Sequence, residues 1–260
     1  MRWLVFILFI LPSPSVAEQV CVEVSEISIN SDAPAKLVQA YKEVEVGLER
    51  FPLLMAAVEE QSPTLCLSNM MDGAHGYYDT EQSRIVLSSQ LSTSMLVAVL
   101  IHEIRHLQQE VVGICPSDAL AMKDYARATF ALEADASAIS ALVAWDMKEN
   151  GNDGPWRALS DWPTQSDIAS AFATEMNLSH DVSSAVSAAF NHWYESEVRR
   201  ETYYLATCSE FLDRQDSSHA IPRYQHITPD FLDGLCTMPE GTQYECALRN
   251  VERSRMPNHE

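Results

Sequence analysis

One stretch of the chain, 98-AVLIHEIRHLQQE-110, limits the possible folds more than any other. Its apolar residues recur at the spacing of a helical face, and they predict a helix that other elements must cover. The same stretch also carries His102, Glu103, Arg105 and His106. Charged and titratable groups on a buried helix are costly unless partners compensate them, so this helix indicates a site as well as a core.

Capping residues indicate the limits of this helix and of the next one. The hydroxyl groups of 92-STS-94 favour a helix start and Gly113 favours a stop, which predicts a helix over 95–112. Ser117 is the corresponding cap for a long alanine-rich helical pattern over 118–150. The centre of the chain is therefore predicted to be helical.

The rest of the chain supplies one clear β signal and several helical patterns. Two short strands joined by a turn are predicted within 76-GYYDTEQSRIVLSS-89. The other predicted segments are two helices within 34–60 separated at Pro52, a loop over 151–166, and helices over 167–177 and 180–213. The predicted fold class is α+β and predominantly helical, with the small β-hairpin preceding the histidine-bearing helix.

The first residues have the composition of an export signal. Arg2 is followed by nine apolar residues, 3-WLVFILFIL-11, and then by small residues and prolines up to Ala17. This run is less than half of the roughly 20 residues that a membrane-spanning helix needs, so a cleaved signal peptide over 1–17 is predicted. The expected product is an exported protein, periplasmic or secreted, with a single domain over 18–260 and no stable membrane insertion after cleavage.

Six cysteines follow the predicted cleavage point, and none lies in a C-x-x-C pair. An even number in an exported chain predicts three disulfides, in a pairing that the sequence leaves open. Cys236 and Cys246 are one candidate pair because they close a short loop. The domain is therefore expected to have a core over 34–213 and an irregular, disulfide-stapled tail over 214–260.

The formal net charge of −20 at pH 7 excludes two classes of partner. Acidic side chains spread along the chain repel the phosphates of nucleic acids and the anionic surfaces of membranes. The net charge does not indicate the oligomeric state, which the sequence does not predict.

His102 and His106 lie four residues apart, so a helix places both imidazoles on one face, about 6 Å apart. Glu103 is rotated by about 100° from His102, and it can reach a water molecule on the same ion without binding the ion itself. This is the physical content of the H-E-x-x-H pattern, in which two histidines bind zinc and the glutamate is the general base of peptide hydrolysis. The pattern predicts one Zn2+ ion as cofactor and a peptide or protein as substrate.

Two histidines leave a catalytic zinc ion short of a third protein ligand. The candidates are Glu133 and Asp135 in the segment 131-ALEADASA-138, where a carboxylate without a partner would be costly. Residues two apart on a helix point about 200° apart, so only one of them can face the ion. Glu133 is favoured as the ligand, and Asp135 is the alternative third ligand or an acceptor for the N–H of a ligand histidine.

Together these motifs resemble the gluzincin group of zinc metallopeptidases. HEIRH with Gln109, followed by Glu133 in a LEADA segment, is most similar to uncharacterised bacterial metallopeptidase families that show H-E-x-x-H-x-x-Q and then an E-A-D-A helix. The resemblance covers roughly 74–147. It implies a zincin-like fold, with the two histidines and Glu133 as ligands and with Glu103 as the base.

The resemblance also implies a strand that binds extended substrate by edge pairing, and 84-RIVLSS-89 lies where this strand is expected. One difference is Ser137, because the larger exported gluzincins often carry an aspartate four residues after the ligand glutamate. A donor for the oxyanion is also required, and the sequence does not choose among the candidates. These candidates are Tyr203, Tyr204, Tyr224, His192 and His226.

Arg105 points away from Glu103 on the helix, and it is predicted to pair with an acidic residue of a neighbouring helix. The alternative function is a non-catalytic zinc-binding domain or a protein-interaction domain. A di-iron helical bundle is disfavoured, because such bundles need a second E-x-x-H pattern and this chain has none.

Overall fold

The computed structural model describes residues 19–27, 32–71, 74–219 and 223–249. The predicted signal peptide over 1–17 lies outside these ranges. Within them, no helix combines the length and the apolar character that crossing a bilayer requires. The fold is α+β and mostly helical, as predicted.

A small sheet has the strand order β1-β2-β4-β3. The strands are β1 (Gln19–Glu23), β2 (Thr64–Ser68), β3 (Gly76–Asp79) and β4 (Arg84–Ser88). β3 and β4 pair antiparallel and confirm the predicted hairpin. β2 pairs antiparallel with β1 and parallel with β4, so the sheet extends beyond the hairpin. The run that forms β2, TLCLS, is short and mostly buried, so it lacks the polar–apolar alternation that marks a strand.

β4 lies inside the sheet, between β2 and β3. Both of its edges are hydrogen-bonded to neighbouring strands, and its residues Ile85, Val86 and Leu87 are all buried. The expectation that 84–89 binds substrate by edge pairing is wrong, because an interior strand has no free backbone edge. The edge strands of the described sheet are β3, next to β4, and β1, on the opposite side.

The described residues also form nine α-helices. They are α1 (Ala35–Leu48), α2 (Pro52–Gln61), α3 (Thr93–Val111), α4 (Met122–Glu149), α5 (Gly154–Asp161), α6 (Ser166–Ser179), α7 (Val182–Trp193), α8 (Glu197–Ser218) and α9 (Asp230–Leu235). The predicted break at Pro52 separates α1 from α2, because a proline fits in the first turn of a helix.

α3 carries the H-E-x-x-H pattern, and it packs against α1, α2, α4 and α5 and against β3 and β4. The hydroxyl group of Ser92 accepts a hydrogen bond from the backbone N–H of Met95 at 3.2 Å, and Gly113 has a φ of +76°. The hydrogen bond to Ser92 and the positive φ of Gly113 confirm the predicted start and stop signals of the helix. Leu100 and Ile101 are fully buried, and each such side chain stabilises the fold by about 1.5–3 kcal/mol relative to exposure.

α4 begins at Met122, four residues later than the predicted start. Ser117 caps a turn, because its hydroxyl group accepts the backbone N–H of Ala119 at 3.2 Å. The backbone N–H of Ala121 bonds to the carbonyl group of Gln225 at 2.9 Å. This contact with the tail holds the chain extended before the helix starts.

The predicted loop over 151–166 contains the helix α5. Its glycines and prolines suggest a loop, but Pro155 lies in the first turn, where it needs no hydrogen-bond partner. Leu159 is buried, and Trp156 packs on Trp145 of α4 with ring centroids 4.9 Å apart. Tertiary packing therefore stabilises a helix where local propensity is weak.

The helical pattern over 180–213 forms two helices, α7 and α8. Trp193 is fully buried at the end of α7. The hydroxyl group of Ser196 then accepts the backbone N–H of Arg199 at 3.2 Å and starts α8. The Ser196 cap therefore starts a second helix inside the segment that the apolar pattern covers.

The expectation of three disulfides is wrong, because the structure contains two bonded pairs within the described residues. They are Cys21–Cys66 and Cys236–Cys246, and the second confirms the candidate pair. Cys21 and Cys66 occupy paired positions on β1 and β2. This pairing leaves Cys115, in the loop after α3, and Cys208, on α8, as free thiols.

Candidate metal centre

α3 and α4 pack against each other and bring the three favoured ligand side chains together. The Nε2 atoms of His102 and His106 lie 3.1 Å apart. Glu133 reaches across from α4, with its Oε2 3.5 Å from Nε2 of His102 and its Oε1 3.4 Å from Nε2 of His106. The three side chains are 17–18% exposed, so the group is enclosed but accessible from one side.

The spacing between these three side chains fits a small tetrahedral cation. Zinc bound at about 2.0–2.1 Å by nitrogen and oxygen places neighbouring ligand atoms about 3.3–3.4 Å apart. The observed separations of 3.1, 3.4 and 3.5 Å lie around this value. Two imidazole nitrogens and one carboxylate oxygen also form a donor set that recurs in catalytic zinc sites. In the described part of the chain, this is the one cluster of metal-binding side chains at such spacing.

The charges of the cluster favour a cation at its centre. Burial opposes protonation of His106, but the charge and hydrogen bond of Glu133 outweigh it and raise the pKa of His106 to about 9. Burial acts to raise the pKa of Glu133, but the two histidines hold that pKa well below its usual range. The facing Nε2 atoms repel each other unless a proton or a metal ion lies between them.

Glu103 lies beside the histidines and is 5% exposed. Burial raises the pKa of Glu103, although the charges of His102 and His106 oppose the shift. The backbone N–H of Tyr78 on β3 donates a hydrogen bond to the carboxylate and holds it in place. A fixed carboxylate with a raised pKa suits a group that accepts and then releases a proton.

Gly76 on β3 makes room for this carboxylate. A Cβ atom at this position would lie 2.6 Å from Cγ1 of Val99 and 3.1 Å from Oε1 of Glu103. Any side chain here would push β3 away from α3 or displace the carboxylate. The close approach of strand and helix therefore requires glycine.

Asp135 does not join the three clustered side chains. Its buried carboxylate accepts hydrogen bonds from Arg105 at 2.6 and 2.9 Å and from the hydroxyl group of Tyr244 at 2.6 Å. Arg105 thus pairs with an acidic residue of a neighbouring helix, as predicted. It also donates to the carbonyl groups of Leu235 and Thr237 in the tail, at 3.0 and 2.9 Å.

The ring nitrogen Nδ1 of His106 meets Gln109 rather than Asp135. It lies 2.8 Å from the amide oxygen of Gln109, whose Nε2 donates to Asp135 at 2.7 Å. Gln109 therefore lies between His106 and Asp135. Asp135 does not accept the N–H of the histidine directly, so the predicted acceptor role is wrong. The available sequence signal was the spacing of three residues between His106 and Gln109, which places both on one helix face.

α8 supplies a site residue that the sequence left undecided. The hydroxyl group of Tyr203 hydrogen-bonds to Glu133, and the charge of Glu133 together with burial raises the pKa of Tyr203 well above its usual value. Among the other candidate donors, Tyr224 is 76% exposed, and His226 pairs with Asp124 at 2.6 Å. No local spacing links Tyr203 to the motif, so the packing of α8 on α4 identifies it.

A cleft of about 480 Å³ leads from the surface to the cluster. β3 contributes Gly76, Tyr77 and Tyr78 to one wall, and α8 contributes Tyr203 and Arg214 to another. A ligand in this cleft would therefore contact both the clustered side chains and the edge strand.

A convergent His–His–Glu donor set beside a buried glutamate, at the end of an open cleft, gathers the groups that a metal-dependent hydrolase uses. The chain belongs to a family described as "Putative metallopeptidase family (DUF6782)", whose model matches residues 15–246. This membership supports the metallopeptidase prediction at the level of the class, and it implies a metal ion. No curated protein and no solved structure matches the chain.

Proposed function

We propose that the protein is an exported, zinc-dependent metallopeptidase that hydrolyses peptide bonds. The zinc ligands are His102, His106 and Glu133, and Glu103 is the general base. The observation that carries this proposal is the convergence of the three donor groups, 3.1–3.5 Å apart, beside a buried carboxylate. A third ligand that comes from the next helix also supports the resemblance to gluzincins.

A zinc ion at these ligands would supply Lewis acidity, which activates water for attack on a carbonyl carbon. Glu103 takes a proton from the attacking water and passes it to the amine that leaves. The hydrogen bond from Tyr78 keeps the Glu103 carboxylate aimed during both transfers. The hydroxyl group of Tyr203 restrains Glu133 in the same way on the other side of the cluster.

The proposed substrate is an extended peptide that lies along β3. In the described part of the chain β3 pairs with β4 alone, and it lines the cleft next to Glu103. An extended peptide can add to such an edge through backbone hydrogen bonds. The side chain of Tyr77, which is 43% exposed, would then contact the substrate and influence the preferred sequence.

Export is proposed from the composition of 1–17 and from the two disulfides, since disulfides persist in oxidising compartments. The mature chain over 18–260 would be a single domain in the periplasm or outside the cell. Its partners would be peptides or proteins rather than nucleic acids or membrane surfaces, because the net charge is −20.

The test compares zinc-loaded wild-type protein with Glu103→Gln and with Glu110→Gln, using an unfolded protein as substrate and mass spectrometry of the products. Glu110 is a matched control because it lies on the same helix and bonds to Tyr78. We expect Glu103→Gln to lose activity by about 10²–10⁴-fold while it still binds zinc, because general-base catalysis contributes on this scale. Glu110→Gln should keep its activity.

Cleavage by Glu103→Gln at the wild-type rate would exclude the proposed mechanism. Zinc binding by the wild-type protein without cleavage of any substrate would instead favour the non-catalytic zinc-binding role.

A further inference from the structure

Gln109 lies directly behind the proposed ligand His106. The amide oxygen of Gln109 is 2.8 Å from Nδ1 of His106, on the side of the ring opposite to the ligand nitrogen. Gln109 is 1% exposed and lies one turn further along α3. A buried polar side chain in this place must satisfy both ends of its amide group within the protein.

The neighbours of Gln109 determine which way its amide group points. Its Nε2 lies 2.7 Å from a carboxylate oxygen of Asp135 and 3.1 Å from the carbonyl oxygen of Leu132. Both neighbours are acceptors, so the nitrogen must face them and the oxygen must face His106. The oxygen can only accept a hydrogen bond. Nδ1 of His106 therefore carries a proton, and in the neutral imidazole that binds a metal ion Nε2 presents its lone pair to the cluster.

Asp135 can direct Gln109 because its own position is constrained. Its carboxylate is fully buried, and it is bonded to Arg105 from α3 and to Tyr244 from the tail. The disulfide between Cys236 and Cys246 closes the tail segment that contains this tyrosine. A chain of contacts thus runs from the tail through Asp135 and Gln109 to the rear of the cluster.

We propose that Gln109 is a positioning residue, which orients His106 and holds it in the tautomer that binds zinc through Nε2. This inference rests on the proposed function, because it concerns a ligand of the proposed zinc site. Gln109 itself does not touch the ion or the substrate. Its effect passes through the Nδ1–H of His106, and Asp135 sets its orientation.

The first test measures zinc affinity by competition with a chromophoric chelator for wild-type protein, Gln109→Leu and Gln108→Leu. Gln108 is a matched control, since it is also a buried glutamine on α3 but bonds to Arg105 instead of a histidine. Loss of an outer hydrogen-bond partner typically weakens metal binding by about 10–100-fold. We expect this loss for Gln109→Leu and a value close to wild type for Gln108→Leu, with thermal unfolding showing that both variants are folded.

The second test needs no variant, so it also decides the question if Gln109→Leu does not fold. In zinc-loaded wild-type protein with ¹⁵N-labelled histidine, NMR should show a slowly exchanging proton on Nδ1 of His106, close to the side chain of Gln109.

Wild-type zinc affinity in folded Gln109→Leu would overturn the inference, and so would a proton on Nε2 of His106. These results would leave the proposed function intact. Failure of the wild-type protein to bind zinc would instead overturn the proposed function, and this inference with it.

Discussion

Glu133 and Asp135 lie two residues apart on α4, but their carboxylates have opposite surroundings. Asp135 is fully buried and is bonded to Arg105, a permanent cation, and to Tyr244. Glu133 meets two histidines in a group that remains 17–18% exposed. The same pair of helices therefore builds a closed ion pair on one side and an open donor set on the other.

The difference shows how one helix interface can serve both stability and chemistry. The closed pair carries its own counter-charge and ties α3, α4 and the tail together. In the open set, the positive charge comes from a proton on a histidine, which a metal ion can replace. A turn of about 200° between the two carboxylates separates these roles.

The largest expected effect comes from removing the charge of the closed pair. Asp135→Asn leaves Arg105 buried without its counter-charge, and we expect the free energy of unfolding to fall by about 3–5 kcal/mol. The isosteric change Glu133→Gln should cost less stability above pH 9, where His106 has lost the proton that Glu133 stabilises. It should weaken zinc binding by more than about 100-fold, which exceeds the loss typical of an outer partner. Chemical denaturation and zinc titration of both variants measure the two effects. A larger loss of stability in Glu133→Gln, together with a larger loss of zinc affinity in Asp135→Asn, would contradict the roles assigned to the two carboxylates.

The pH dependence should distinguish the open set from the rest of the molecule. The pKa of His106 is raised from 6.5 to about 9 in the metal-free protein, so its proton stabilises the fold fully below pH 6.5, and this contribution is lost as the pH rises through 9. Zinc must displace that proton. Zinc affinity should therefore rise by about tenfold per pH unit over the same window while the stability of the metal-free protein falls. Denaturation and zinc competition at several pH values measure both trends.

The matched control for this pH dependence is His106→Gln. If this variant shows the same pH dependence of stability as the wild-type protein, another group titrates and the assignment to His106 is wrong.

A smaller effect should separate the two tyrosines that donate to these carboxylates. Tyr244→Phe removes one donor from Asp135, and we expect a loss of about 1–3 kcal/mol in the free energy of unfolding. Its activity should fall less than that of Tyr203→Phe, because Tyr244 reaches the cluster only through Asp135 and Gln109. Tyr203→Phe removes the donor to Glu133, and it should lower kcat/KM with little change in stability. Equal effects of both substitutions on activity would contradict the division between a closed and an open region.

Local patterns were sufficient to predict the parts of the site that one helix or one hairpin contains. The capped helix with His102 and His106, the hairpin before it and the break at Pro52 all follow from residues close in sequence. Helical periodicity predicts that only one of Glu133 and Asp135 can face the histidines, and in the structure Glu133 is the one that does.

Features that depend on distant contacts could not be predicted in this way. Tyr244 reaches Asp135 across a separation of 109 residues, and Tyr203 comes from a helix with no motif of its own. α5 forms where glycine and proline suggest a loop, because buried Leu159 and the packing of Trp156 outweigh local propensity. The segment that forms β2 can be recognised as a strand only from its pairing with β1 and β4 in the structure.

The most direct test of the central claim is the zinc content of the mature protein, measured by native mass spectrometry for wild type, His102→Ala and His192→Ala. His192 is the control because it lies on α7, pairs with Asp167 at 3.6 Å and is not one of the three clustered side chains. We predict one zinc ion per chain in the wild-type protein and in His192→Ala, and none in His102→Ala. Absence of zinc from the wild-type protein, or full zinc content in folded His102→Ala, would contradict the proposed metal centre.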